Sequence, residues 1–314
     1  MRQAGLLADV AARASTNMPR ALPRRSRSRL ALALAAAALL GLVAAPIASA
    51  SLIAPQRGGS PNADHIWTLY MIVFVLACII FVGVEGALLY SMFKFRARRG
   101  AVAAQIRGNT RLEIGWTVGA AVILIVLAVV TFAMLPSIRN PPNSDASGLN
   151  AATGVYYATT ERLTPPNGKA LTICVNGQQY VWRYTYGSNC ANQPLNAVFS
   201  YREMYVPTGT TVLLDIVAQD VVHSWWIPKL GGKMQAVPGY TNHTWFKISK
   251  PGSYYGQCAE LCGRNHANMT ASVVAMPLNK WHQWMSGKRA QLKAADRAAA
   301  ISRKKLEANP QANP

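Results

Sequence analysis

Residues 256–269 read GQCAELCGRNHANM. Cys258, Cys262, His266 and Met269 stand four, four and three residues apart, and His223 precedes Cys258 by 35. Such spacings also describe one face of an α-helix, but Gly256, Gly263 and Asn265 argue for a turn-rich loop. A Cys258–Cys262 disulfide is a second reading for an exported domain, although a bridge across four residues closes a short, strained loop. Thiolates, imidazoles and a thioether together make a soft donor set, and the thioether favours copper over zinc. One Cys, two His and one Met suffice for a mononuclear blue site. A second Cys is more than one copper needs, and five side chains suffice for two coppers if both thiolates bridge. That arrangement suits an electron relay and suits bond-making catalysis poorly. Zinc held by Cys258, Cys262, His266 and His223 is the competing reading.

Outward from this loop the chain reads as short β-rich runs: ALTICV, QYVWRYTY, MYVPTGTTVLLDIVA, HTWFKIS and ASVVAMP, punctuated by Gly, Pro and Asn. The pattern predicts an all-β sandwich or Greek-key barrel over residues 140–285. A Pro/Asn/Ser linker (Pro136, Pro141, Pro142, Asn143, Ser144) precedes it, helical character returns near Lys280, and residues 286–314 form a basic tail with helical composition. Upstream, 66–93 and 114–135 are almost wholly apolar, each longer than the ~20 residues a membrane-spanning helix needs. Lys94, Arg96, Arg98, Arg99, Arg107 and Arg111 lie between them with no acid. The loop between the spans is therefore cytoplasmic and everything after Pro136 lies outside. Residues 51–139 thus form a transmembrane hairpin.

Residues 1–50 pass from a basic stretch (Arg20, Arg24, Arg25, Arg27, Arg29) into an apolar run ending Ala48-Ser49-Ala50. This reads as a signal peptide cleaved after Ala50, with a retained third membrane helix as the alternative. The net charge of +20 lies mostly in the leader, the inter-span loop and the tail; residues 140–285 carry ten Lys/Arg against six Asp/Glu. Basic clusters that flank apolar spans speak for membrane orientation and against nucleic acid.

The segments DVVHSWWIP (220–228), AVPG (236–239), TWF (244–246) and YYGQCAELCGRNHANM (254–269) resemble the signature segments of cytochrome c oxidase subunit II. The resemblance covers roughly residues 65–285. It implies a cupredoxin-like Greek-key barrel carrying the two-copper centre called CuA. Its ligands would be His223, Cys258, Cys262, His266, Met269 and the backbone carbonyl of Glu260. The Glu260 carboxylate would face a magnesium ion shared with the catalytic subunit. The chain would sit in a bacterial inner membrane beside the haem-bearing subunit I and subunit III. It would take electrons from a cytochrome c for proton-pumping oxygen reduction, and would be inactive toward oxygen alone. Glu113, in RLEIGW, matches the Glu at the mouth of the family's proton channel, with an interfacial anchor as the alternative.

Three departures stand out. The family's aromatic loop usually reads Gly-x-Gln-Trp-x-Trp-x-Tyr, whereas residues 177–184 are GQQYVWRY. Tyr180 replaces the Trp that receives the electron, while Trp182 keeps its place, so Tyr180, Trp182 and neighbouring Trp225 are the candidates for electron uptake. Gln235 replaces a carboxylate near the family's magnesium, and the acids that commonly follow the aromatic loop are missing from TYGSNCANQPLN. The expected donor is a less basic cytochrome, or one docked by apolar contact. Cys174 and Cys190 bracket the aromatic loop and are expected to form a disulfide, the alternative being two small buried hydrophobes. Cys78 packs within a span; Glu85, also within one, faces a partner helix or stays protonated. His65, His243 and His282 lie off the metal spacing and read as ordinary residues. Absence of Cys-x-x-Cys-His excludes a fused haem c domain. The rivals are the copper domain of a nitrous oxide reductase, a quinol oxidase subunit and a copper-handling membrane protein.

Overall fold

The structure is a computed structural model and describes residues 54–96, 100, 102, 105–145, 164–187, 190–191 and 196–308. The leader and its cleavage site lie outside the described residues. Two apolar helices come first, α1 (Pro61–Lys94) and α2 (Thr110–Arg139), and both are long and apolar enough to cross a membrane. Each extends past the expected span, because polar ends continue the helix into the interfacial zone. Pro61 opens α1, where a missing N–H costs nothing. Pro136, placed in the linker by its sequence, lies inside α2. It sits one turn from the end, where its own carbonyl accepts from Asn140 and only one helical bond is lost.

Among the described residues ten strands follow: β1 (Leu171–Gln178), β2 (Val181–Tyr186), β3 (Phe199–Tyr201), β4 (Glu203–Pro207), β5 (Thr211–Ala218), β6 (His223–Trp226), β7 (Met234–Ala236), β8 (Asn242–Lys247), β9 (Gly252–Cys258) and β10 (Thr270–Met276). They form two five-stranded sheets, ordered β3-β2-β1-β5-β8 and β4-β10-β9-β6-β7. The β1–β5 and β4–β10 pairs are parallel and the others antiparallel. MYVPTGTTVLLDIVA, a single run by sequence, is divided here. Its first half is β4 in one sheet, and beyond Gly209 (φ 74°) its second half is β5 in the other. A positive φ at glycine costs no side-chain clash and permits that change of layer.

Ile173, Val175, Trp182, Tyr184, Leu214 and Ile216 from one sheet meet Met204, Val206, Trp225, Met269 and Val273 from the other in one core. At about 25 cal/mol per Å² of apolar surface, such large side chains dominate the stability of the domain. The opposite face of β5 and β8 is not bare. Leu213 and Trp245 pack there, beneath the ends of the membrane helices. Asn62 Nδ2 donates to the Trp245 carbonyl (2.9 Å), Lys247 N–H donates to Ser60 Oγ (3.1 Å), and the Trp245 indole N–H donates to the Ile138 and Arg139 carbonyls (3.1 and 2.9 Å). Strand β8 is therefore the seam between hairpin and sandwich. The last helix, α3 (Leu278–Ala308), begins close to Lys280, where helical character was expected to return, and runs on into the basic tail. Trp281, Trp284 and Met285 recur at helical spacing and bury one face; the Trp284 ring stacks on Tyr205 at 4.7 Å.

Candidate metal centre

Strand pairing brings distant parts of the sequence together. Trp225 of β6 lies opposite Cys258 of β9, so His223 and Cys258 end neighbouring strands. Cys258 N–H donates to the Met269 carbonyl (2.8 Å) and Ala259 N–H to the Ser224 carbonyl (2.9 Å), which closes the base of the 259–269 loop. Within the loop Gly263 takes φ 133°, a value other residues rarely adopt. Residues 266–268 form a single 3₁₀ turn and not an α-helix, as the glycines and Asn265 predicted. Gly177 of β1 is also required: a Cβ there would come within 3.0 Å of both the His223 and Trp182 rings.

The donor atoms converge. Cys258 Sγ lies 3.9 Å from His223 Nδ1, 4.0 Å from Cys262 Sγ and 3.2 Å from the Glu260 carbonyl oxygen. Cys262 Sγ lies 3.6 Å from His266 Nδ1 and 3.8 Å from Met269 Sδ. His223, Cys258, Cys262 and Met269 are buried, and His266 is half-buried at the surface side. Two sulfurs at the middle, an imidazole on each and a thioether on one fit a soft metal pair by donor chemistry. The two Cys remain free thiols, not a disulfide.

Electrostatics make the two thiols unequal. Burial opposes charge on Cys258, but His223 and the backbone at Glu260 and Ser224 outweigh it and bring the thiol down to about 6. Burial, followed by the charge on Cys258, pushes Cys262 up to about 11. Burial likewise disfavours the His223 imidazolium, yet its contacts with Cys258 and Asp220 hold its pKa above the ordinary value. Asp220 was not singled out from sequence. Its Oδ1 lies 2.9 Å from His223 Nε2, and its carboxylate accepts from the N–H groups of Gln179 (2.6 Å) and Val221 (2.7 Å). This bond orients the imidazole with Nδ1 toward the sulfurs. An Asp three residues before a ligand His was the available signal.

The aromatic candidates separate by depth. Tyr180 is half-buried, and its hydroxyl lies 2.6 Å from where a Cβ on Gly263 would stand. The neighbouring Gln179 Nε2 donates to the Cys262 carbonyl (2.6 Å). Trp182 is fully buried, with its ring edge-on to His223 at 5.8 Å. Trp225 is only 3% exposed and its indole N–H donates to Tyr184 Oη (3.3 Å), so it offers no surface to a donor protein. Exposed apolar residues next to the ligands in sequence include Val221, Val222 and Leu261. Cys174 and Cys190 are joined in a disulfide.

Glu113 stands apart from the centre, in the first turn of α2. Its Oε1 accepts from Asn109 N–H (3.2 Å), while the Asn109 side chain accepts from Leu112 N–H (3.2 Å). It thus completes a reciprocal helix cap. His243 is paired with Asp215 at 2.7 Å, and His282 packs beside Trp281.

Known proteins match both halves of the chain. Residues 171–276 match the cytochrome c oxidase subunit II periplasmic domain and residues 48–134 its transmembrane domain. Cytochrome c oxidase subunit 2 of Alkalihalophilus pseudofirmus is 31% identical over 235 residues, 74% of this chain and 61% of that protein; the chain thus spans less than two thirds of that relative. The probable cytochrome c oxidase subunit 2 of Rickettsia bellii is 30% identical over 247 residues, 74% of this chain and 82% of that one. Among solved structures, the periplasmic domain of subunit II of cytochrome oxidase from Bradyrhizobium japonicum is 30% identical, covering 40% of this chain and 96% of that one, with a TM-score of 0.36. With two membrane-capable helices ahead of a two-sheet β domain, and relatives that match both, this chain belongs to the cytochrome c oxidase subunit II family.

Proposed function

We propose that the chain takes electrons from a cytochrome c and hands them to haem in subunit I, where oxygen is reduced to water with proton pumping. The observation that carries this reading is the gathering of His223, His266 and Met269 around the buried Cys258 and Cys262 sulfurs. These side chains, with the Glu260 carbonyl, would hold two copper ions. When bound, a copper pair held by these donors would supply a one-electron relay site.

The chain's own groups prepare that site. Cys258 is readily deprotonated, Asp220 fixes the His223 tautomer, and the buried sulfurs exclude water. Tyr180, Val221, Val222 and Leu261 present an apolar docking face around the loop. Trp182 lies one layer beneath, against His223. The Glu260 carboxylate would contribute to a magnesium site shared with subunit I, and Glu113 would accept protons at the cytoplasmic face. Subunit III completes the assembly in a bacterial inner membrane, with the β domain on the periplasmic side.

The test is metal content and electron paramagnetic resonance of the copper-loaded β domain. Two coppers per chain with a mixed-valence signal are expected, lost in Cys258→Ser and in Cys262→Ser. One copper per chain, or zinc retained in its place, would overturn the reading.

A further inference from the structure

A cavity of about 290 Å³ opens where the membrane hairpin meets the β domain, on the side away from the thiols. The volume is at the small end of the range for sites that hold small ligands or headgroups, roughly 300–1,000 Å³. Its walls come from both solvents the chain must meet. Ile66, near the start of α1, and Ile138, near the end of α2, supply apolar wall; Arg139 closes α2, and Lys233 precedes β7. Trp245 forms part of the wall between them, and its indole N–H holds the Ile138 and Arg139 carbonyls, so Arg139 starts from a fixed backbone.

The charge balance is one-sided. Among the described residues no carboxylate lines the cavity. Among the described residues neither Arg139 nor Lys233 has an acid within ion-pair distance, whereas His243, also on the wall, is already matched by Asp215. A cationic pocket with an apolar flank, at the domain-side ends of two membrane helices, is complementary to one class of ligand. That ligand has an anionic head and an apolar tail, and lies at the membrane surface. Arg in particular matches phosphate oxygens with a planar pair of donors.

We propose that this cavity binds the phosphodiester headgroup of an anionic phospholipid of the outer leaflet. Arg139 and Lys233 contact the phosphate, and the acyl chains descend along Ile66 and Ile138. The inference goes beyond electron transfer and does not depend on copper. Its physical consequence is a clamp: the lipid bridges the end of α2 and the β7 strand, holding the sandwich at a set height over the membrane.

The experiment uses the assembled oxidase in nanodiscs of phosphatidylglycerol and phosphatidylcholine, with retained lipid counted by native mass spectrometry. Arg139→Gln combined with Lys233→Gln should weaken phosphatidylglycerol retention about 30-fold, each cation near a membrane surface contributing roughly a factor of five to six. Arg289→Gln on α3, which does not line the cavity, should leave retention unchanged. Equal retention in the double variant overturns the proposal. So does displacement of the lipid by millimolar inorganic phosphate, which would make this a free-anion site. As a measurement that needs no variant, photoactivatable phosphatidylglycerol should label the wild-type chain at residues 138–139 and 232–234. Labelling elsewhere on the chain alone, or cross-linking of this wall to another subunit in place of lipid, overturns it as well.

Discussion

Replacing Asp220 by Asn removes a charge and leaves the shape. In the structure the carboxylate lies 2.9 Å from His223 Nε2, the imidazole is fully buried, and the Asp220 side chain is 33% exposed. A hydrogen bond to a charged group contributes about 1.5–3 kcal/mol, and solvent at a one-third exposed carboxylate screens part of it. The lower half of that range is appropriate, about 1.5–2 kcal/mol, or roughly 10–30-fold in copper affinity at 1.4 kcal/mol per decade. Partners that orient metal-bound histidines typically contribute about 10–100-fold, which agrees. The penalty should also depend on pH in a definite direction. Asp220 raises the His223 pKa, and metal binding requires neutral imidazole. Wild type therefore loses affinity sooner as pH falls, and the gap between the proteins narrows below the wild-type His223 titration. Competition against a copper chelator of known affinity, on the β domain from pH 5 to 8, measures both effects. The mixed-valence signal should persist in the variant, since no sulfur is touched. An affinity within twofold of wild type at pH 8, or a gap that widens in acid, would refute the reasoning.

At the docking face, Tyr180→Leu should slow reduction of the copper-loaded domain by its cytochrome, while Tyr180→Trp is tolerated, and the wild-type rate should depend only weakly on salt because the face is apolar. Stopped-flow reduction at low and high ionic strength checks this; a steep fall with salt removes the apolar docking claim. Glu113→Gln should slow oxygen turnover of the assembled enzyme several-fold without changing copper content, whereas unchanged turnover across pH leaves Glu113 as a helix cap only. In the metal-free domain, one thiolate per chain should appear as pH rises through about 6 and the second only near 11, read by ultraviolet absorbance; two thiolates titrating together near 9 would contradict the inequality. Removing the Cys174–Cys190 bridge, which spans 16 residues, should lower stability by about 3 kcal/mol in chemical denaturation.

The membrane hairpin was legible from sequence because transfer of a helix into hydrocarbon is close to a sum over its own residues. Only its ends were misplaced, as with Pro136, where helix continuation depends on the interface and on contacts with the β domain. The ligand loop was legible for a similar reason. Four of its five donor side chains lie within twelve consecutive residues, so type and spacing carry the chemistry locally. Strand assignment was less so. β1 is buried along seven of its eight residues, which erases the alternation that marks a half-exposed strand. The division of MYVPTGTTVLLDIVA between two sheets turns on pairing with β10 and β1, partners 69 and 41 residues away in sequence. Trp225 and Tyr180 are both aromatic in sequence; only packing buries one and leaves the other at the surface. The neighbours of His223, the inequality of Cys258 and Cys262 and the basic cavity under Trp245 all arise where separate strands and helices meet. Distance, burial and dielectric are properties of that meeting and of no residue alone, so the sequence named the donor atoms while tertiary structure decided their protonation, their orientation and what stands around them.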